Sequence, residues 1–298
     1  MFKHKINALF RIFGSMKPIF PILFLSFISN LTAFDGSLSN KGYGYAYWGY
    51  NRSFFSNSDI HFFSENYDFT LKNVKASDRP QKFSLENYFA PNNISVPQYC
   101  FRFGYYLTDN IHISGGMDHM KYVVDQNQMV EINGVIESKT NTKYNGAYLR
   151  DMIEIKKGFL DFEHTDGLNL VTLQCDYSIP IVKFINNNFQ LRFNAGVGGI
   201  WVGTRSDVQI IDEGIDNDHH LAGYSLTAQF GPRIEFRKMF FLDFQSRVGY
   251  MSLRDIFIEN ESAPKRASQE FSFISYYGSL GIMIPLSKYA RDNRKGKR

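Results

Sequence analysis

The chain has 298 residues, enough for one large β domain or two ordinary ones, and its mean hydropathy of −0.28 comes with no apolar run long enough for a membrane helix. Aromatic residues make up 16%, with 29 Phe and 18 Tyr, a composition that favours strands. The formal charge of +4 originates in residues 1–33, which hold Lys3, Lys5, Arg11 and Lys17 and no acid; without them 29 basic groups face 29 acidic ones, so there is no electrostatic case for nucleic acid.

Residues 1–33 read as a secretory signal peptide: a basic region, an apolar core over Ile19–Ile28, then small or polar residues up to Ala33. Met16-Lys17 would itself begin a compact signal. No Cys follows the apolar core, so a lipid anchor is not expected, and export by a Sec-type route is.

From there the strands begin. Residues 42–55 alternate Tyr43, Tyr45 and Tyr47 with Gly44 and Ala46. Residues 98–107 put Tyr99, Phe101, Phe103, Tyr105 and Leu107 on one face and Cys100, Arg102, Gly104 and Tyr106 on the other. A tight turn at Thr108–Asn110 leads into 111–123, where alternation is poorer and Gly115-Gly116 suggests a bulge. Residues 168–182 set Val171, Leu173, Cys175, Tyr177 and Ile179 against Thr172, Gln174, Asp176 and Ser178. After Asn186–Asn188 comes FQLRFNAGVGGIW, residues 189–201, whose alternation is the cleanest in the chain. Its apolar row is closed by an aromatic residue at each end, and Arg192 lies in its polar row. As a tilted barrel strand it rises roughly 30 Å, the thickness of a bilayer's hydrocarbon. Residues 223–236, a tight Arg237-Lys238 turn, 239–253 and 272–286 repeat the pattern.

Short turns near 108–110, 185–188 and 237–238 alternate with long connections at 56–97, 124–167, 203–222 and 254–271. All short turns at one end and all long loops at the other is the requirement of an up-and-down antiparallel barrel. The fold expected is therefore all-β, a transmembrane barrel of eight strands, with periplasmic turns and extracellular loops. Strand-like pieces at 59–74, and at 128–136 with 158–164, would be hairpin arms above the membrane, or would raise the count to ten or twelve if they insert. The domains expected are the signal peptide 1–33, the barrel 34–286 and a basic, disordered periplasmic tail 287–298.

The polar rows collect Arg102, Arg192, Arg233 and Arg247 with Asp118, Asp176, Glu235 and Asp243. An eight-stranded lumen is just wide enough for side chains, so these charges are expected to pair in a plugged, salt-bridged core, with glycines 104, 196, 198, 231 and 281 leaving room for them. Aromatic girdles are expected at Trp201, Tyr224, Tyr250 and Tyr99 on one rim and at Phe189, Phe236, Phe240 and Tyr105 on the other. The same periodicity would also suit a secreted soluble barrel with its faces reversed. Charge-free apolar rows, few lysines and the terminal aromatics favour the membrane.

The signal peptide, the strands just quoted and the closing YYGSLGIMIPL look like the outer-membrane β-barrel proteins of Gram-negative bacteria, over residues 42–286. The resemblance implies an integral outer-membrane protein in contact with lipid and lipopolysaccharide. It admits structural barrels, surface-binding adhesins, small-solute channels and lipid A-modifying enzymes. A structural or surface-binding role through the extracellular loops is the expectation, with the enzyme or channel as alternatives. One departure is that Ile284-Pro285-Leu286 and a twelve-residue tail replace the usual terminal aromatic.

Candidate chemistry is sparse. His112-Ile113-Ser114 resembles the His-x-Ser of barrel lipid A deacylases, but it neighbours the periplasmic turn, and two polar lumen residues are the simpler reading, leaving no catalytic set. The acidic loop 210–220 lacks a recognised cation spacing, and Cys100 and Cys175 fall on opposite faces of non-adjacent strands, so neither a metal, a cofactor nor a disulfide is expected. The tail has six basic residues and one acid, which suits anionic headgroups or cell-wall polymer.

Overall fold

A computed structural model describes residues 39–295, apart from 91, 94, 141, 185–188, 212–213, 215–218 and 260–263. The expected signal peptide, the 185–188 turn and most of the acidic loop 210–220 lie outside the described residues. The rest is one antiparallel sheet of thirteen strands. In chain order these are β1 (Tyr43–Phe55), β2 (Ser58–Phe63), β3 (Tyr67–Val74), β4 (Ala76–Ser77), β5 (Tyr99–Tyr106), β6 (Ile111–Val124), β7 (Gln128–Ile136), β8 (Gly146–Ile155), β9 (Leu160–Phe184), β10 (Phe189–Ile210), β11 (His220–Phe236), β12 (Phe240–Phe257) and β13 (Arg266–Pro285). Helix α1 (Leu85–Phe89) lies between β4 and β5, and α2 (Lys288–Lys295) follows β13.

The pairing path β1-β5-β6-β9-β10-β11-β12-β13 returns to β1, a closed ring. The register fixes its geometry. From Trp201 the cross-strand partners run Val171, Met117, Phe101, Trp48, Leu280, Leu242 and Ile234, and then rejoin β10 at Leu191, ten residues lower. A stagger of ten over eight strands tilts them by roughly 40–45°. At the lower end the three-residue β11–β12 connection has Arg237 and Lys238 both at positive φ, 47° and 49°, and closes with the Met239 amide donating to the Phe236 carbonyl at 2.9 Å.

The strands at the other end run well past the expected membrane segment. β10 continues nine residues beyond Trp201, roughly 20 Å along the axis at that tilt. There β2 adds to the upper edge of β13, followed by β3, β7 and β8. The expected hairpin over 59–74 is β2–β3. The expected partner of 128–136 is corrected: β7 pairs with β3 and with β8, while residues 160–164 are the start of β9. Strand β8 is exposed over most of its length and mixes polar with apolar residues, so its sequence carries no alternation.

These upper strands enclose an apolar core that includes Ile60, Phe62, Phe69, Leu71, Met120, Tyr122, Ile132, Phe159, Phe162, Leu168, Leu170, Val202, Met251, Leu253 and Phe271, all buried. The long connections are therefore a packed cap. At the opposite end Tyr43, Tyr45, Tyr106, Phe241 and Met283 form a small cluster with Ala290 of α2. The tail expected to be disordered is helical over 288–295, because Ala290 fits under the barrel mouth and Ser287 Oγ caps its amide at 3.0 Å.

Within the cap core, His164 is fully buried; its Nδ1 lies 2.7 Å from Ser206 Oγ and its Nε2 3.0 Å from the Gln269 amide. Burial pushes its pKa down to about 3, and the nearby His220 acts in the same direction. Between that value and about 6.5 the unfolded imidazole binds a proton and the folded one does not, so stability is complete above about pH 6.5 and falls as pH drops. Going from pH 7 to pH 5 should cost the cap about 2 kcal/mol. Amide exchange along residues 160–164 and 206–210, corrected for intrinsic rate, should accelerate accordingly, and His164→Gln should flatten the dependence.

Candidate functional site: a charged lumen under an apolar cap

The inward face of β1, β5, β6, β9, β10 and β13 keeps one parity along each strand, while one-residue register shifts near the top of β11 and β12 pass it from Ser225 to Ala222 and from Leu253 to Ile256, and its chemistry changes part-way up. On β6 the inward residues are His112, Ser114, Gly116 and Asp118, then Met120, Tyr122 and Val124. On β9 they are Ser178, Asp176, Gln174 and Thr172, then Leu170 and Leu168. A register shift at 164–168 accommodates two extra residues, so His164, Phe162 and Leu160 still point inward. The outward faces change the opposite way. Below the change Leu173, Val197, Leu226, Phe230, Phe244 and Leu280 are 42–71% exposed. Above it β9 and β10 present residues such as Asp161, Glu163, Arg205 and Asp207. The bulge expected at Gly115-Gly116 is absent, since both glycines pair in register with Phe103 and Arg102. The poor alternation of that segment is this change of polarity at Asp118–Met120.

All eight charged residues picked from the sequence lie in the lower lumen, each at most 2% exposed. They do not pair one to one. Asp118 Oδ2 accepts from Arg102 Nη2 at 2.6 Å, from Arg247 Nη1 and from Thr172 Oγ1 at 3.1 Å. Arg233 grips Asp243 with two parallel bonds of 2.8 and 2.6 Å, the fork geometry that suits a buried pair. Arg192 is 3.9 Å from Glu235 and bonds more closely to Ser178 Oγ (2.7 Å) and the Asp109 carbonyl (2.8 Å). Asp176 accepts from the amides of Gln174 (2.7 Å) and Gln229 (2.8 Å), and Gln229 Oε1 accepts from Arg247 Nη2 at 2.8 Å. The expected four-to-four balance thus becomes a network in which one carboxylate serves two arginines and glutamine amides bridge others.

Sequence reading missed the aromatic partners of these arginines. The Arg233 guanidinium lies 4.0 Å from the Phe241 ring centroid and 4.9 Å from that of Tyr45, and its Nη1 donates to Tyr106 Oη at 3.0 Å. Arg247 lies 4.5 Å from the Tyr277 ring. Tyr106 and Tyr277 share the arginines' parity, which was the available signal. The expected role of the glycines holds at Gly196, where a Cβ would fall 2.1 Å from Asp176 Oδ1, and is corrected at two others. A Cβ on Gly104 would meet the Tyr45 ring at 2.1 Å and one on Gly281 the Phe241 ring at 2.1 Å, so they seat aromatics. Room for Arg102 comes from Gly116, where a Cβ would fall 2.7 Å from its Cγ.

His112 Nδ1 lies 2.8 Å from Tyr45 Oη and 3.7 Å from Asp176, inside the lumen, and Ser114 is buried beside it. His112 is thus committed to a tyrosine, not to the serine. Cys100 is buried on the lumen side and Cys175 is exposed outside, with β6 between their strands.

Of the aromatic residues expected at the rims, Phe189, Phe236 and Phe240 are consecutive partners across β10, β11 and β12 at the lower end. Tyr105 lies a few residues further in. At the upper end Trp201 pairs with Tyr224, and Tyr250 pairs with the neighbouring Leu226, its hydroxyl bonded to Glu270. Tyr99 stacks on Trp48 at 5.0 Å. With the stagger applied, these upper aromatics come within about two residues of the height at which the lumen turns apolar. Between the two levels, Phe193, Phe230, Pro232, Phe244 and Tyr276 line an outward groove of about 500 Å³, where Pro232 lacks an N–H and the β11–β12 pairing is interrupted at Gly231-Pro232 without a change of register.

No protein-family model and no curated protein matches the chain. Solved structures with a similar outline are outer-membrane β-barrel proteins. OprG from Pseudomonas aeruginosa has 10% identity, covers 82% of this chain and 97% of its own, and gives a TM-score of 0.38. AlkL, solved in DMPC bilayers, has 12% identity, 87% and 97% coverage, and a TM-score of 0.38. Ail of Yersinia pestis has 11% identity, 82% and 99% coverage, and a TM-score of 0.30.

Removing one shared acceptor is the sharpest test of the network. Asp118→Asn leaves Arg102 and Arg247 buried without their carboxylate and should cost about 3–5 kcal/mol. The readout is a lowered midpoint for unfolding in urea from detergent micelles. Replacing Asp118, Arg102 and Arg247 together by leucine and methionines should cost less than the single change.

Proposed function

We propose that the chain is an integral outer-membrane barrel, exported by its N-terminal signal, whose eight-strand ring crosses the bilayer and whose lumen is plugged. Its work is structural or surface-binding, done through the extracellular cap. The observation that carries this reading is the opposed change of polarity inside and outside the same strands. Leucines and phenylalanines that face outward below the change need a nonaqueous surround, whereas the charges inside them need a closed network. The aromatic residues at either end of the apolar band suit bilayer interfaces, with lipid and lipopolysaccharide as partners.

Two layers support the plugged state: the arginine–carboxylate network, and above it an apolar core too deep for hydrated ions. The cap's outer strands β7 and β8 expose Met129 (58%), Val135 (45%), Leu149 (85%) and Met152 (61%), a patch of the kind that marks an interaction surface. The basic residues of α2 and the end beyond it suit cell-wall polymer or anionic headgroups below the barrel.

The protein should fractionate with the outer membrane and shift its gel mobility on boiling, and planar bilayers should show no large single-channel steps. Recovery as a soluble periplasmic protein would overturn the membrane reading, and a large steady conductance would replace the plug by a channel.

A further inference from the structure

Residues 78–97 connect β4 to β5 and pass along the outside of the ring. Ser84 caps α1 by accepting from the Asn87 amide at 3.0 Å, and Glu86 in the first turn complements the helix dipole. Tyr88 is the one residue of α1 that is buried. Its ring lies 4.8 Å from Tyr50, its carbonyl accepts from Tyr50 Oη at 2.5 Å, and its hydroxyl accepts from Arg52 Nη2 at 2.9 Å. Asp78 holds the start of the segment by accepting from the Ser53 amide at 3.2 Å. On the staggered ring Ser53 stands at the height of Trp201, the upper aromatic level, so α1 is pinned to the outer wall at that height.

The rest of the helix is turned the wrong way for water. Phe83 is 72% exposed, Leu85 73% and Phe89 66%, among the most exposed large apolar side chains described, and the Phe83 ring lies 5.2 Å from that of the buried Tyr88. A short segment that buries one tyrosine and presents three apolar residues has the polarity of the lipid-facing strands beside it, not of the cap above it. Its surface is continuous with the outer aromatic row, where Tyr50 meets Tyr99 across the β1–β5 ladder and Tyr99 stacks on Trp48. Lys82 and Arg79 precede it, and Arg79 already pairs with Glu163 at 2.5 Å. An amphipathic element with aromatic and leucine residues on one side and charge at its flank lies in the interface of a bilayer.

We propose that residues 83–89 form a wedge that inserts Phe83, Leu85 and Phe89 into the outer leaflet, tying the β4–β5 connection to the lipid surface. This rests on the membrane reading of the ring, and it adds a lipid contact made by a connection instead of a strand. Its occupant is the acyl region of the outer leaflet near the headgroups.

The test uses the full chain with Trp48→Phe and Trp201→Phe as a tryptophan-free background, refolded into phosphatidylcholine vesicles with or without brominated acyl chains. Folding of each variant is checked by its boiling shift. Three single probes are added in turn: Leu85→Trp on the wedge, Phe230→Trp on the wall and Leu149→Trp on the cap. The expected result is strong bromine quenching for Phe230→Trp and Leu85→Trp, and little for Leu149→Trp. Quenching of Phe230→Trp with Leu85→Trp behaving like Leu149→Trp would overturn the wedge and leave the membrane barrel intact. No quenching of Phe230→Trp would overturn both. Phe89→Trp serves as a second wedge probe if Leu85→Trp fails to fold.

Discussion

A strand keeps its two faces for as long as its register holds, and that constraint organises this molecule. Most ring strands preserve their inward parity from the lower end to the cap, with β11 and β12 shifting by one residue near the top, so a change of surroundings along the axis is met chiefly by a change of residue type at fixed parity. On β6 that change is completed in one step, from Asp118 to Met120. Below it the apolar side chains face outward and the polar ones inward. Above it the arrangement is that of an ordinary globular protein. One sheet thus carries both polarities on shared strands, a closed lower ring with its apolar face outward and an upper cap with its apolar face inward.

The lower lumen is demanding because its arginines cannot reach water. Each guanidinium carries five donors in a rigid fork, and a single carboxylate cannot satisfy two of them. The structure meets part of the shortfall with tyrosine hydroxyls, ring faces and the Gln229 amide oxygen, while Arg102 Nε and Nη1 and Arg247 Nε have no acceptor among the described residues. That is why Tyr106, Tyr277, Gln229 and Phe241 belong to the site as much as the carboxylates do. The cap then covers the network with a hydrophobic core anchored on the same strands. An arginine lost from the network and a leucine lost from the cap would therefore weaken one continuous object.

The upper strands also explain why the long connections are ordered. β2 and β3 can extend from the free upper edge of β13 because that strand rises past its ring neighbour β1. β7 and β8 then continue the sheet, and the apolar faces of all four close over the mouth of the ring. At the other end α2 and the residues near Gly42 close the mouth with one buried alanine and a small aromatic cluster. The barrel is capped twice, by different means.

The sequence by itself determined where the ring strands run, most of their faces and the eight buried charges, because a period of two is written locally and survives without neighbours. Phe189 to Trp201 is the clearest case. What it left open is whatever depends on who sits across the ring. Nothing local says that Asp118 serves both Arg102 and Arg247, residues 16 and 129 positions away. Nothing local says that Gly104 makes room for Tyr45, or that 160–164 continues β9 instead of pairing with β7. The segment 111–123 looked irregular because its faces exchange polarity within it, and a reading that assumes one solvent per face takes that for a bulge. Only the closed ring, with its stagger of ten residues, decides which side chains meet and at what height the surroundings change.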